Sequence, residues 1–153
     1  MKALELKLPP LALAFGFGVL MWVIDRWLPL HAGRSVMRTA VALVILVIAV
    51  TILVAAIVGF RKARTTVDPM HPEAASAIVT AGIYRFSRNP MYLAFFIALV
   101  AMAVFLGNVV AALVPLVFVI YMNRFQISPE ERALRARFGA SYETYLGAVR
   151  RWL

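Results

Sequence analysis

The sequence predicts an all-α polytopic membrane protein: about four transmembrane helices, followed by amphipathic helices at the C-terminal end. Three observations carry this. Hydrophobic residues make up 63% of the 153 and charged residues only 15%, well above the apolar share of a soluble domain. The apolar residues gather into four runs separated by polar segments. The 16 basic residues are shared unequally between alternate segments, as the positive-inside rule requires. The length suits one domain, residues 1–153. With no cysteine and only His31 and His71, a disulfide framework is excluded and no metal centre is expected. The charge of +9 fits basic residues that flank membrane helices and touch anionic headgroups, so membrane lipids are the expected partners and nucleic acid is not.

The first run, Leu8 to Leu28, follows Lys2 and Lys7 and carries Asp25-Arg26 near its end. It resembles a signal peptide at its start, but it is long and no small-residue cleavage site follows its core, so it reads as a retained span. Asp25 reads as an ion-pair partner of Arg26 or an interfacial anchor. Thr39 to Phe60 is 22 residues without a charge and reads as a second span, closed by Arg61, Lys62 and Arg64. Residues 65–89 are polar, and Asp68-Pro69 and His71-Pro72 break any long helix. Pro90 to Leu106 and Val109 to Met122 form the third and fourth spans, joined by a Gly107-Asn108 turn and kinked at Pro115. The 17 residues from Pro90 reach only about 25 Å, so this pair is expected as a tight hairpin.

The tail, residues 128–153, repeats Leu134, Phe138, Tyr142, Tyr145, Val149 and Leu153 at steps of three or four. Gly139 divides it into two helices, with Ser141 capping the second. With four spans and both termini inside, 13 of the 16 basic residues fall on the inner side, and only Arg26, Arg34 and Arg38 lie outside. Both polar segments, 65–89 and 128–153, are then cytoplasmic.

Two clusters can carry chemistry. In Arg88-Asn89-Pro90-Met91-Tyr92, asparagine and proline suit a helix start, and arginine and tyrosine suit the interface. The same helix end presents free N–H groups and a positive dipole to an anion. In Ser128-Pro129-Glu130-Glu131, Ser128 and Glu131 fit a capping box with Pro129 at the first helical position. The same two carboxylates could instead take hydrogen bonds from ribose hydroxyls or an ammonium group.

The order and spacing of Thr80-Ala81-Gly82-Ile83-Tyr84, Arg88-Asn89-Pro90-Met91-Tyr92, Glu130-Glu131, Phe138-Gly139 with Tyr142 and Tyr145, and Val149-Arg150-Arg151 resemble the isoprenylcysteine carboxyl methyltransferase and phospholipid methyltransferase group of integral-membrane enzymes. The resemblance covers Thr66 to Leu153. It implies S-adenosyl-L-methionine as cofactor, held by Ile78, Val79, Tyr84, Asn89, Pro90, Met91, Tyr92 and Glu130. It implies Arg88, Arg124 and Glu131 near the reacting groups, with Arg124 close to the methyl acceptor. The implied acceptor is lipophilic and partitioned into the membrane, either the carboxylate of a prenylcysteine-like compound or a lipid amine. Asn89 stands where the eukaryotic enzymes have histidine; it keeps hydrogen bonding and loses the charge. The competing class is a small non-catalytic membrane protein, a transport or assembly partner. Against transport, the two central apolar runs hold no ionisable residue to mark a pathway.

Overall fold

Two residues, Gly107 and Asn108, set the hairpin at the centre of the molecule. Gly107 ends a helix with φ of 63°, a left-handed conformation that L side chains rarely adopt. Asn108 is 1% exposed and uses all its hydrogen-bonding capacity. Its Nδ2 donates to Leu28 O at 2.7 Å and Asp25 Oδ1 at 3.2 Å, and its Oδ1 accepts from the N–H groups of Val110 and Ala111 at 3.0 and 3.1 Å. One side chain thus starts the following helix and ties the hairpin to the end of the first helix. Asp25 accepts from Asn108, and among the described residues no ion pair joins it to Arg26, so of the two expected roles the pairing is not seen.

The computed structural model describes residues 5–30, 33, 35–63, 70–72 and 75–153. Lys2, His31, Arg34, Arg64 and Asp68-Pro69, named above, lie outside these. The helices are α1 (Pro10–Trp27), α2 (Val36–Lys62), α3 (Pro90–Leu106), α4 (Val114–Tyr121), α5 (Ser128–Phe138) and α6 (Ala140–Ala148), with no strand among the described residues. Three helical runs are long and apolar enough to cross a membrane: Pro10–Trp27, Val36–Lys62 and Ala111–Phe138. Pro90–Leu106 is a shorter apolar helix of 17 residues.

α3 is the most enclosed helix. It packs along α2 and also against α1 and α4. The contact face of α2 carries Ala42, Ala49 and Ala56, all 5% exposed or less and seven residues apart. Small residues at that repeat let two backbones approach closely. On the other side, Phe118 and Met122 are fully buried, and Phe17 meets Phe118 edge to face at 5.6 Å.

The expected break before Ser128 is absent. The helix continues from α4 through a π turn, Met122–Ile127, into α5. Ser128 has helical φ and ψ and its Oγ donates to Asn123 O at 2.6 Å, so there is no capping box with Glu131. Pro129 has no N–H for the carbonyl four residues back. That carbonyl, Phe125 O, accepts instead from Leu6 N at 3.1 Å. The change from apolar to polar composition at this point marks a change of surroundings rather than a helix end. Pro115 sits in the first turn of α4, after a 3₁₀ turn at Ala111–Leu113, rather than inside a helix. Gly139, at φ 52°, does separate α5 from α6; it also occupies the cap of α6, which leaves Ser141 inside the first turn.

Candidate active site

The loop before α3 folds back onto the end of α2. Val79 and Tyr84 are buried there with Ala56, and Tyr84 meets Phe60 edge to face at 5.3 Å. Gly59 makes room for it, since a Cβ at that position would lie 3.1 Å from the Tyr84 ring. Tyr145 Oη then donates to Tyr84 O at 2.7 Å, which fastens α6 to the same loop.

These elements, with α1, α3 and α5, enclose a cavity of about 390 Å³, a size suited to a small-molecule ligand. Its wall has two parts. Pro9, Pro10 and Leu11 from the start of α1, and Leu53, Ile57 and Phe60 from α2, make an apolar side. Tyr84, Arg88, Asn89, Tyr92, Glu130 and Glu131 make a polar side.

The two glutamates have different surroundings. Glu131, 8% exposed, accepts from Arg151 Nε at 3.1 Å and Nη2 at 2.5 Å, and its Oε1 forms an ion pair with Arg88 Nη2 at 3.2 Å. Its two oxygens are held by two guanidinium groups. Glu130 takes one hydrogen bond, from Tyr92 Oη to Oε2 at 2.8 Å, and its Oε1 has no partner among the described residues. They are adjacent on one helix and so about 100° apart around its axis. That separation lets Glu130 meet Tyr92 while Glu131 meets the C-terminal tail, both still lining the cavity.

The tail continues the arrangement. Arg88 N donates to Arg150 O at 3.0 Å and Asn89 Nδ2 to Arg151 O at 2.9 Å. Trp152 Nε1 donates to Asn123 Oδ1 at 3.0 Å. Asn89 precedes α3 in the cap position but makes no side-chain capping bond; its amide reaches the tail instead. Two buried polar atoms on cavity-wall residues, Tyr84 Oη and Arg88 Nε, have no hydrogen-bond partner among the described residues. Unpaired buried groups of this kind are rare, and each points to a missing partner. Burial raises the pKa of the nearby phenols. Tyr84 and Tyr142 are pushed well up, and Tyr145 to about 12, with Arg88 partly opposing the rise at Tyr145. All three are neutral hydroxyls at physiological pH and can donate.

Ten of the eleven residues named from the sequence line this cavity: Ile78, Val79, Tyr84, Arg88, Asn89, Pro90, Met91, Tyr92, Glu130 and Glu131. The exception is Arg124, expected near the acceptor. It is half-exposed, and its Nη1 meets Glu5 Oε1 at 3.3 Å outside the cavity; Arg132 meets the same carboxylate. The Arg124 guanidinium is taken by Glu5, a partner from the other end of the chain. The apolar wall from α1 and α2 was not read from the sequence. The heptad of alanines on α2 could have shown which face of that helix is enclosed.

The model of a family described as phospholipid methyltransferase matches residues 37–141. The chain belongs to the phospholipid methyltransferase family. An uncharacterized protein of Haemophilus influenzae is 43% identical over 63 residues, which is 41% of this chain and 100% of that protein. Probable protein-S-isoprenylcysteine O-methyltransferases of Oryza sativa subsp. indica and subsp. japonica are each 34% identical over 112 residues, 71% of this chain. The chain spans 57% of the length of these rice relatives. No solved structure gives a significant match. Membership of the phospholipid methyltransferase family places the protein among membrane methyltransferases. The matched region ends at 141, so Arg151 and the rest of the tail that closes the polar side lie beyond it.

Proposed function

We propose that the cavity binds S-adenosylmethionine and that the chain transfers its methyl group to a lipophilic acceptor held against the apolar wall. The observation that carries this reading is the group of polar side chains on one wall of an otherwise apolar cavity, Tyr84, Arg88 and Glu130, with Glu130 Oε1 left without a partner among the described residues. A carboxylate with a free oxygen suits an ammonium group or a ribose hydroxyl. A guanidinium N–H suits a carboxylate. A phenol hydroxyl suits either a donor or an acceptor. S-adenosylmethionine has all of these groups, so the residues present fit it. When bound, it supplies an electrophilic methyl on a sulfonium sulfur.

The rest belongs to the chain. Glu130 and Arg88 hold the two ends of a zwitterion. Leu53, Ile57 and Phe60 keep water from the transfer and favour the loss of charge as sulfonium and carboxylate neutralise each other. A carboxylate acceptor needs no general base, and this suits a wall whose second carboxylate, Glu131, is already bound by two arginines. The names of the rice relatives point the same way, whereas the family description points to phospholipid. Titration of the detergent-solubilised protein with S-adenosylhomocysteine is expected to give one site per chain. A folded sample that takes up none would leave the protein as a non-catalytic member of the fold.

The polar side of the cavity is assigned to the cytoplasm, where the cofactor is made, from the basic asymmetry of the sequence. The chain lacks cysteine, so a single cysteine introduced at Gly147 is a unique reporter. It is expected to react with a membrane-impermeant maleimide only after the cells are opened. Reaction in intact cells would reverse the orientation.

A further inference from the structure

The reading of the cavity as an S-adenosylmethionine site leaves the C-terminal tail without a role, although the tail makes a two-nitrogen ion pair with a cavity-wall carboxylate. Arg151 grips Glu131 with two nitrogens, and Glu131 in turn takes Arg88 Nη2. Arg88 has two further constraints. Its Nη1 donates to Leu146 O at 3.1 Å and its backbone N–H to Arg150 O at 3.0 Å, while its Nε is buried and has no partner among the described residues. The guanidinium is planar and its N–H groups lie in a fixed fork. Fixing both Nη atoms therefore fixes the plane of the guanidinium. Glu131 paired with Arg88 alone would fix it less well, because a carboxylate held on one side can turn about its last torsion. With Arg151 fastened to the far side, the carboxylate has one orientation.

We infer that Arg151 is a positioning residue for the cofactor carboxylate: acting through Glu131, it holds the Arg88 guanidinium on the cavity wall where that group would bind. This inference rests on the cofactor reading above. It predicts a loss confined to one part of the ligand, which a general loosening of the tail does not.

The test compares two ligands that differ only in that group, S-adenosylmethionine and its decarboxylated form, on the full chain in detergent. For Arg151→Gln, affinity for S-adenosylmethionine is expected to fall about tenfold, the effect of weakening one charge-assisted hydrogen bond. Affinity for the decarboxylated form is expected to stay within about twofold, a few tenths of a kcal/mol on the same scale. Arg151→Lys keeps the charge but not the fork, and is expected to fall between wild type and Arg151→Gln. It also serves as the folded variant if Arg151→Gln loses its cooperative melt. An equal loss for both ligands in either variant would make Arg151 a general support of the fold and overturn the inference. No loss for either ligand would overturn it as well. Failure of the wild-type protein to bind either ligand would instead remove the cofactor reading on which it stands.

Discussion

Replacement of Glu131 by leucine is expected to destabilise the protein by about 3–5 kcal/mol, the range for removing one partner from a buried ion pair. The side chains of Glu131 and Arg88 are 11% and 12% exposed, and that of Arg151 is 36% exposed. Without the carboxylate, two guanidinium groups face each other, and the less exposed one keeps its charge without a counterion. The partial exposure of Arg151 lets water take up part of the loss and moves the expectation toward the lower end of that range. Glu131→Gln separates this from a helix-capping role. A capping box accepts glutamine about as well as glutamate, whereas the double ion pair loses its charge and is expected to lose about 1.5–3 kcal/mol. Denaturant or thermal unfolding in a fixed detergent measures both. A Glu131→Gln protein as stable as wild type would show that the two arginines are held by the rest of the tail.

The capping-box expectation shows where sequence pattern and structure part. Ser128-Pro129-Glu130-Glu131 has every local mark of a helix start. What the pattern does not contain is the π turn before it, whose hydrogen bonds carry the helix through, or Leu6, which arrives from the other end of the chain to satisfy Phe125 O. The second depends on residues more than a hundred positions apart coming together. The same limit explains Asn89. As a cap residue before Pro90 it looks self-sufficient, yet its amide is taken by Arg151 O, 62 residues later.

The polar half of the site was legible for the opposite reason. Ile78 to Tyr92 is one short segment in which polar residues stand out against an apolar chain, and Glu130 follows another apolar run. The apolar half was not legible. Leu53, Ile57 and Phe60 face the cavity, while Val54 and Val58 on the same helix are exposed on the outer surface. Both faces of the helix must be apolar when one side is lipid and the other is a dry pocket, so composition cannot tell them apart. The helices themselves were read well at α1, α2 and α3 because Pro, Gly and charge mark their ends. Whether Pro90–Leu106 counts as a full span is a matter of length rather than of where the helix lies.

Glu130 is the residue on which the proposed chemistry depends most. Glu130→Gln is expected to weaken S-adenosylhomocysteine by about ten- to a hundredfold, which corresponds to ~1.5–3 kcal/mol for a hydrogen bond to a charged group. Little loss of stability is expected. In the wild type, Tyr92 Oη donates to Oε2 at 2.8 Å and Oε1 has no partner among the described residues. Glutamine can keep the first bond with its carbonyl oxygen. Its amide nitrogen then stands where Oε1 was, a donor where the ligand needs an acceptor, and the negative charge is gone. Tyr92→Phe makes the complementary change, since it leaves the carboxylate charged but frees its Oε2. A smaller loss is expected there, about 0.5–1.5 kcal/mol, the ordinary net value of one hydrogen bond. Calorimetry on both proteins, each with a cooperative melt, gives the comparison. If Glu130→Gln binds as tightly as wild type, the carboxylate does not touch the ligand, and the cation-holding end of the cavity would have to be sought elsewhere.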